Sequence, residues 1–194
     1  MIDRRPPLTR ARVLDAAIAL ADRDGVDAVS MRRLGQELGV EAMSLYTHVH
    51  GKDDLLDGMV DAVVARFPVV RREASWTATL RGALLAAGAE MARHPWAPGV
   101  VRTRTSPGPA TTAYLDAISR ILADAGLSAA LADRARHALG GRVLGLTDIL
   151  FGRQSDEADA AFALDLVLDG LDRERARQAA PPTGRTREGD WKMW

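Results

Sequence analysis

Arg32, Tyr46, His48 and Lys52 carry polar heads of the kind that meet nucleic-acid phosphates, and Ala42, Met43, Ser44 and Thr47 lie between them. A phenol, an imidazole N–H and an ammonium suit phosphate contacts. Ala42 and Met43 offer apolar surface that fits a thymine methyl, while Ser44 or Thr47 supplies a hydroxyl for a base edge or a phosphate. Arg32 fits either a bidentate guanine contact or a phosphate clamp. Tyr46 has an alternative role as a ring packed beneath the first helix, and His48 as a hydrogen-bonded structural histidine. Catalytic chemistry is much less well supplied. The chain has no cysteine, which excludes disulfides, thiolate zinc sites and cysteine nucleophiles. His94 and His137 are far apart, and no H-x-x-x-H or carboxylate spacing accompanies them. No nucleophile–base pair or glycine-rich phosphate loop is evident either, so an enzyme is disfavoured and no cofactor is expected.

These residues need short, well-terminated elements to hold them. Ser30 is a good N-cap, and Leu34 and Leu38 share one helix face. Gly39 follows, where a residue tolerant of the left-handed conformation ends a helix. A second short helix is expected over roughly 41–48, with Val40 and Leu45 inward and Glu41 favoured by the helix N-terminus. Asp53 and Asp54 suit the first turn of the next helix for the same reason. Two such helices joined by a glycine-containing turn form a helix-turn-helix, whose second helix enters the DNA major groove. An ordinary αα-hairpin is the alternative.

The flanking sequence resembles a known family. Residues 8–67 resemble the N-terminal DNA-binding domain of TetR-family (tetracycline-repressor-like) transcriptional regulators, through LTRARVLDAAIALADRDG, SMRRLGQELGV and SLYTHVHGKDDLLDGMVDAVV in order. The resemblance implies that Ala42, Met43, Ser44, Tyr46, Thr47 and His48 face DNA, and that the protein is a homodimeric repressor of a double-stranded DNA operator. It also implies an all-α second domain that binds a small-molecule effector. Gly35 stands where the family usually carries Ala, and Met43 is large for an exposed recognition-helix position. The later order Trp76…HPWAP…Tyr114-Leu115…AGLS is similar to a tetracycline-repressor-type C-terminal domain.

The wider chain fits an all-α fold in two parts. Its 194 residues are rich in helix formers and poor in aromatics. The opening residues do not read as a signal peptide and no long uncharged apolar run appears, so a cytoplasmic protein without a membrane partner is expected. Net charge is formally zero, and residues 1–67 hold nine Arg/Lys against eleven Asp/Glu. DNA meets one face rather than the average. A polarised domain is therefore expected, with Arg4, Arg5, Arg10, Arg12, Arg32, Arg33 and Lys52 towards DNA, and Asp22, Asp24, Asp57 and Asp61 towards the second domain.

The first domain is expected over 8–67, with helix 1 capped by Thr9 and stopped by Gly25 and a connecting helix over 53–67. The second is expected over 75–178, leaving 1–7 and 179–194 flexible apart from the unexplained Trp191 and Trp194. An effector cavity among the connecting helix and the helices that follow it would draw on Met59, Leu84, Met91, His94, Trp96, Val100, Tyr114, Ile118, Val143, Thr147 and Phe151. Arg102, Arg104, His137 and Asp148 are the candidates to orient a polar or anionic group. Ordinary core or surface placement is the alternative for each. Leu139, Gly140, Leu144, Leu164, Val167, Leu168 and Leu171 are expected in a four-helix interface across a twofold axis, with an intramolecular core as the alternative. Two other functional classes compete: a helical interaction module or small-molecule binder with a degenerate helix-turn-helix, and an enzyme using the helical pocket.

Overall fold

The computed structural model describes residues 7–104, 106–143 and 157–180. Residues 1–6 of the stretch 1–7 expected to be flexible, Leu144, Thr147, Asp148, Phe151 and the tail with Trp191 and Trp194 lie outside the described residues, as do the side chains of Arg142, Val143 and Glu157. The described residues form an all-α structure: α1 (Arg10–Asp24), α2 (Met31–Leu38), α3 (Ala42–Leu45), α4 (Lys52–Val64), α5 (Trp76–Ala92), α6 (Ala97–Thr103), α7 (Pro109–Asp124), α8 (Ala129–Val143) and α9 (Glu157–Ala179). No helix among the described residues is long and apolar enough to cross a membrane.

Side-chain caps set the first boundaries. Thr9 accepts a hydrogen bond from the Arg12 amide and Ser30 from the Arg33 amide, so each satisfies an N–H that the first helical turn leaves free. Gly39 takes the left-handed conformation at φ 65°, which lets α2 end and the chain turn at once into α3. The α-helical part of the second element is shorter than the sequence suggests, covering Ala42–Leu45 and continuing as turns through His48. Bonds from Tyr46 N to Met43 O and from His48 N to Leu45 O tighten this end.

Apolar periodicity then builds two cores. Val13, Leu14, Ala17, Ile18, Leu34, Leu45 and Val49 pack with Leu55, Met59 and Val63 of α4 in the first. This core does not stop at the connecting segment, because Met91, Trp96, Ala97 and Val100 belong to it too. The second joins Leu80 and Leu84 of α5 and Ile118 and Leu122 of α7 to Leu131 and Leu139 of α8 and Leu164, Leu168 and Leu171 of α9. Polar ties reinforce it, with Trp76 Nε1 donating to Asp172 Oδ1 at 3.3 Å and Arg81 Nε to Asp165 Oδ1 at 2.6 Å.

Leu139, Leu164, Leu168 and Leu171 are therefore buried inside this chain and leave little surface for a second one, and Val167 packs partly against the same core. Helical periodicity marks an apolar face without saying whose surface covers it. On α9 the large apolar side chains left in solvent are Phe162, 66% exposed, and Leu166, 58% exposed. Leu115 on α7 is 44% exposed.

The helix-turn-helix depends on close backbone approach. A Cβ added at Gly35 would lie 2.8 Å from the Val40 carbonyl oxygen and 3.2 Å from the Ala42 amide nitrogen. Backbone cannot swing aside as a flexible side chain does. Gly35→Ala is expected to destabilise the protein by about 1–3 kcal/mol through this overlap, despite the better helix propensity of alanine. Thermal unfolding of the two proteins checks this, and an unchanged or higher Tm would show that α2 and α3 pack more loosely than described.

Candidate nucleic-acid interface and effector cavity

The short recognition element is held from beneath and from one end. Leu45 and Val49 are fully buried, which turns the intervening side chains outward. Met43 is 73% exposed and Tyr46 45% exposed, so the Tyr46 ring is not packed under α1. Arg32, Ser44, Thr47 and Lys52 are exposed, whereas Ala42 and His48 are partly covered. Thr47 Oγ1 donates to the Ser44 carbonyl at 2.7 Å. Its hydroxyl therefore presents lone pairs and a methyl group outward, and its proton is already engaged.

The end brace is a cluster that the sequence does not announce. Arg10 Nη2 and Nη1 donate to Asp54 Oδ1 and Oδ2 at 2.6 and 2.9 Å, and Nη1 also donates to the His48 carbonyl at 2.8 Å. The His50 amide donates to Asp54 Oδ2 at 2.7 Å. Arg10, expected among the DNA-facing cations, thus ties the last turn of the recognition element to α4. Arg33 likewise pairs with Asp24, and Arg23 with Glu37, across the α1–α2 contact. Asp24 therefore works between α1 and α2, not towards the later helices where its charge was expected.

The other three acids do face the later helices. Asp22 accepts from His94 Nδ1 at 2.9 Å and from Trp96 Nε1 at 2.7 Å. His94 is 5% exposed, with Glu90 Oε1 3.7 Å from its other ring nitrogen. Asp61 accepts from the Ala110 and Thr111 amides at 3.2 and 2.8 Å, capping α7 from α4. Asp57 accepts from Arg104 Nη1 at 3.0 Å, and the same guanidinium reaches the Asp53 carbonyl at 3.1 Å and Asp53 Oδ1 at 3.2 Å. Burial opposes the charge on Arg104, but its bonds to Asp53 and Asp57 outweigh that and hold its pKa above the ordinary value.

A cavity of about 370 Å³ opens beside these ties, within the range of small-molecule sites. Asp57, Val60 and Val64 of α4 form one wall, and Leu84 and Met91 of α5 with Tyr114 and Ile118 of α7 form others. Phe67, Thr111, Arg136, Leu139 and Gly140 complete much of the rest. Burial pushes the Tyr114 phenol up to about 12, so it stays protonated, and its O–H donates to the Ala83 carbonyl at 3.2 Å. Its ring meets Phe67 edge-on with centroids 5.1 Å apart.

Of the residues drawn from the sequence, Leu84, Met91, Tyr114 and Ile118 line this cavity, while Met59, His94, Trp96 and Val100 do not. Met59 and Val100 are absorbed by the first core. His94 and Trp96 turn to Asp22 because a buried imidazole and indole need partners for their N–H groups. Arg104 lines the cavity, Arg102 is exposed, and His137 is exposed with Nδ1 2.9 Å from the Asp133 carbonyl. Leu139 and Gly140, expected between chains, line the cavity. The sequence draws a wall from the connecting helix through Met59, but Asp57, Val60 and Val64 supply it instead, because the apolar pattern of α4 does not show which of its residues face the cavity and which the first core.

Known proteins match this arrangement. The family described as "Bacterial regulatory proteins, tetR family" matches residues 13–59. An HTH-type transcriptional regulator of Saccharopolyspora erythraea is 38% identical over 185 residues, covering 92% of this chain and 74% of the relative. The HTH-type transcriptional repressor DrrR1 of Streptomyces coeruleorubidus is 36% identical over 126 residues, 64% of this chain and 47% of that protein. Among solved structures, the Streptomyces coelicolor TetR family protein ActR in complex with actinorhodin superposes with TM-score 0.75 at 24% identity, over 88% of this chain and 99% of that one.

The Arg10–Asp54 brace carries a pH signature. Hydrogen bonds from Arg10 hold the Asp54 carboxyl down at about 2 against the opposing effect of burial, helped by the His50 amide. A carboxyl lowered in the folded state stabilises it above its unfolded pKa and loses that stabilisation as pH falls through the folded value. The Tm advantage of the unaltered protein over Asp54→Asn is expected in full above about pH 5 and to shrink steadily as pH falls through about 2. A difference that stays constant across a thermal series over that range would contradict the brace.

Proposed function

The chain belongs to the TetR family of bacterial regulatory proteins, and on that premise we propose that it is a homodimeric repressor which a small molecule releases from its operator. The observation that carries this reading is the placement of α4. Its first turn follows the exposed recognition element directly, and its Asp57, Val60 and Val64 wall the cavity. A ligand in the cavity and DNA at α3 therefore press on one helix. A ligand shifts the balance between two states only by its difference in affinity for them.

In the bound state each recognition element occupies a half-site, with half-site centres about 34–36 Å apart or a multiple of that distance. Met43 and Ala42 read base edges through apolar contact, and Ser44 through its hydroxyl. Thr47 accepts a hydrogen bond or lays its methyl against the groove. Arg32 reads guanine or clamps phosphate. Tyr46, His48 and Lys52 hold phosphates. The second chain docks on the exposed face of α9 that carries Phe162 and Leu166. DrrR1, named a repressor, and ActR, solved with actinorhodin, lend support by similarity. The exposure of Arg32, Tyr46 and Lys52 together weighs against a degenerate helix-turn-helix retained for protein contacts alone.

Positioning and readout separate by mutation. On an operator recovered from a random DNA pool, Lys52→Ala is expected to weaken binding to all sequences alike and to reduce the salt slope by about 1. Arg32→Ala or Met43→Ala is expected to relax preference at defined base pairs, with a cost of about 1–3 kcal/mol there for the arginine. Fluorescence anisotropy on matched and singly substituted operators measures both. If the two kinds of variant lose affinity identically on every sequence, the assignment of roles is wrong.

A further inference from the structure

Among the described residues three charged ones line the cavity, Asp57, Arg104 and Arg136, and the rest of that wall is largely apolar. Arg104 stands apart in how its bonds are placed. Its side chain is 19% exposed, whereas its partners Asp53 and Asp57 are 91% and 45% exposed. Water already serves both carboxylates, whereas the Arg104 side chain is largely covered. Arg104 Nε is buried and has no hydrogen-bond partner among the described residues. A buried N–H without an acceptor is unfavourable, and an occupant of the cavity that brings one relieves it. An anionic acceptor does so most strongly, because charge-assisted bonds to a guanidinium are shorter and stronger and are often bidentate. The Tyr114 hydroxyl already donates to Ala83, which leaves the arginine as the stronger handle.

We propose that the effector is a largely apolar molecule carrying an anionic group, and that Arg104 reads this group with donors drawn away from Asp57 and Asp53. The proposal rests on the reading of the cavity as the effector site. It also defines what the ligand changes. The bonds given up join the end of α6 to the Asp53–Asp57 turn of α4, immediately after Lys52. The charge of the effector is read through the contact that ties the cavity to the DNA-binding end.

Two probes that share one ring system test this on the full chain by fluorescence titration. 1-Anilinonaphthalene-8-sulfonate carries an anionic group, and N-phenyl-1-naphthylamine lacks it. The anionic probe is expected to bind at one site at least about tenfold more tightly than the neutral one. Arg104→Met should cut that preference to about threefold or less and leave the neutral probe unaffected. Its carboxylate partners stay solvated, and circular dichroism verifies the fold. Asp57→Asn removes a competitor for the guanidinium and should tighten the anionic probe about threefold with the neutral probe unchanged. A purely structural arginine would not give these opposite shifts. Leu115→Trp, at a half-exposed point of the cavity wall, should block both probes and so locate them.

Equal binding of the two probes, or an Arg104→Met protein that keeps the preference, overturns the proposal and leaves the cavity reading standing. If Arg104→Met does not fold, an unchanged anionic affinity in Asp57→Asn overturns it instead. Binding of neither probe, or binding that survives Leu115→Trp, removes the cavity reading and the proposal together.

Discussion

The two-sided burial of α4 is the constraint on which the rest of the structure depends. Leu55, Met59 and Val63 are almost wholly excluded from solvent in the core shared with α1, while Val60 and Val64 also face the cavity. Each such side chain stabilises the fold by about 1.5–3 kcal/mol when fully buried, so α4 cannot leave one neighbour without exposing apolar surface. It moves with both or not at all. Its charged residues add direction to this. Asp54 holds the recognition element through Arg10, Asp57 holds α6 through Arg104, and Asp61 holds the start of α7.

The second fastening is Asp22, which collects the N–H groups of His94 and Trp96 at the junction of α5 and α6. A carboxylate with two buried donors is costly to break on one side only, because the partners left behind are then unpaired. The DNA-binding part and the helices beyond it consequently share a core and a polar lock. A regulator needs such a link if an occupied cavity is to matter at the DNA.

The legible parts of the sequence were those governed by local chemistry. Thr9 and Ser30 cap helices, Gly39 turns left-handed, and Leu45 sinks while Met43 stays out, each within a few residues of what fixes it. Interactions between distant segments were not legible. Arg10 and Asp54 lie 44 residues apart, and Asp22 and Trp96 74 apart. His94 and Trp96 looked like effector contacts because a polar aromatic reads the same whether it faces a ligand or a carboxylate. Leu139, Leu164, Leu168 and Leu171 show the same ambiguity for apolar residues, since their spacing fits a partner's surface as well as this chain's own.

Amide hydrogen exchange with and without an operator recovered from a random DNA pool tests most directly the claim that α4 carries the DNA contact into the cavity region. Bound DNA is expected to slow exchange in α3 and along α4, and also at the Ala110 and Thr111 amides that bond to Asp61. Slowing confined to α2 and α3, with α4 and those two amides unchanged, would contradict it.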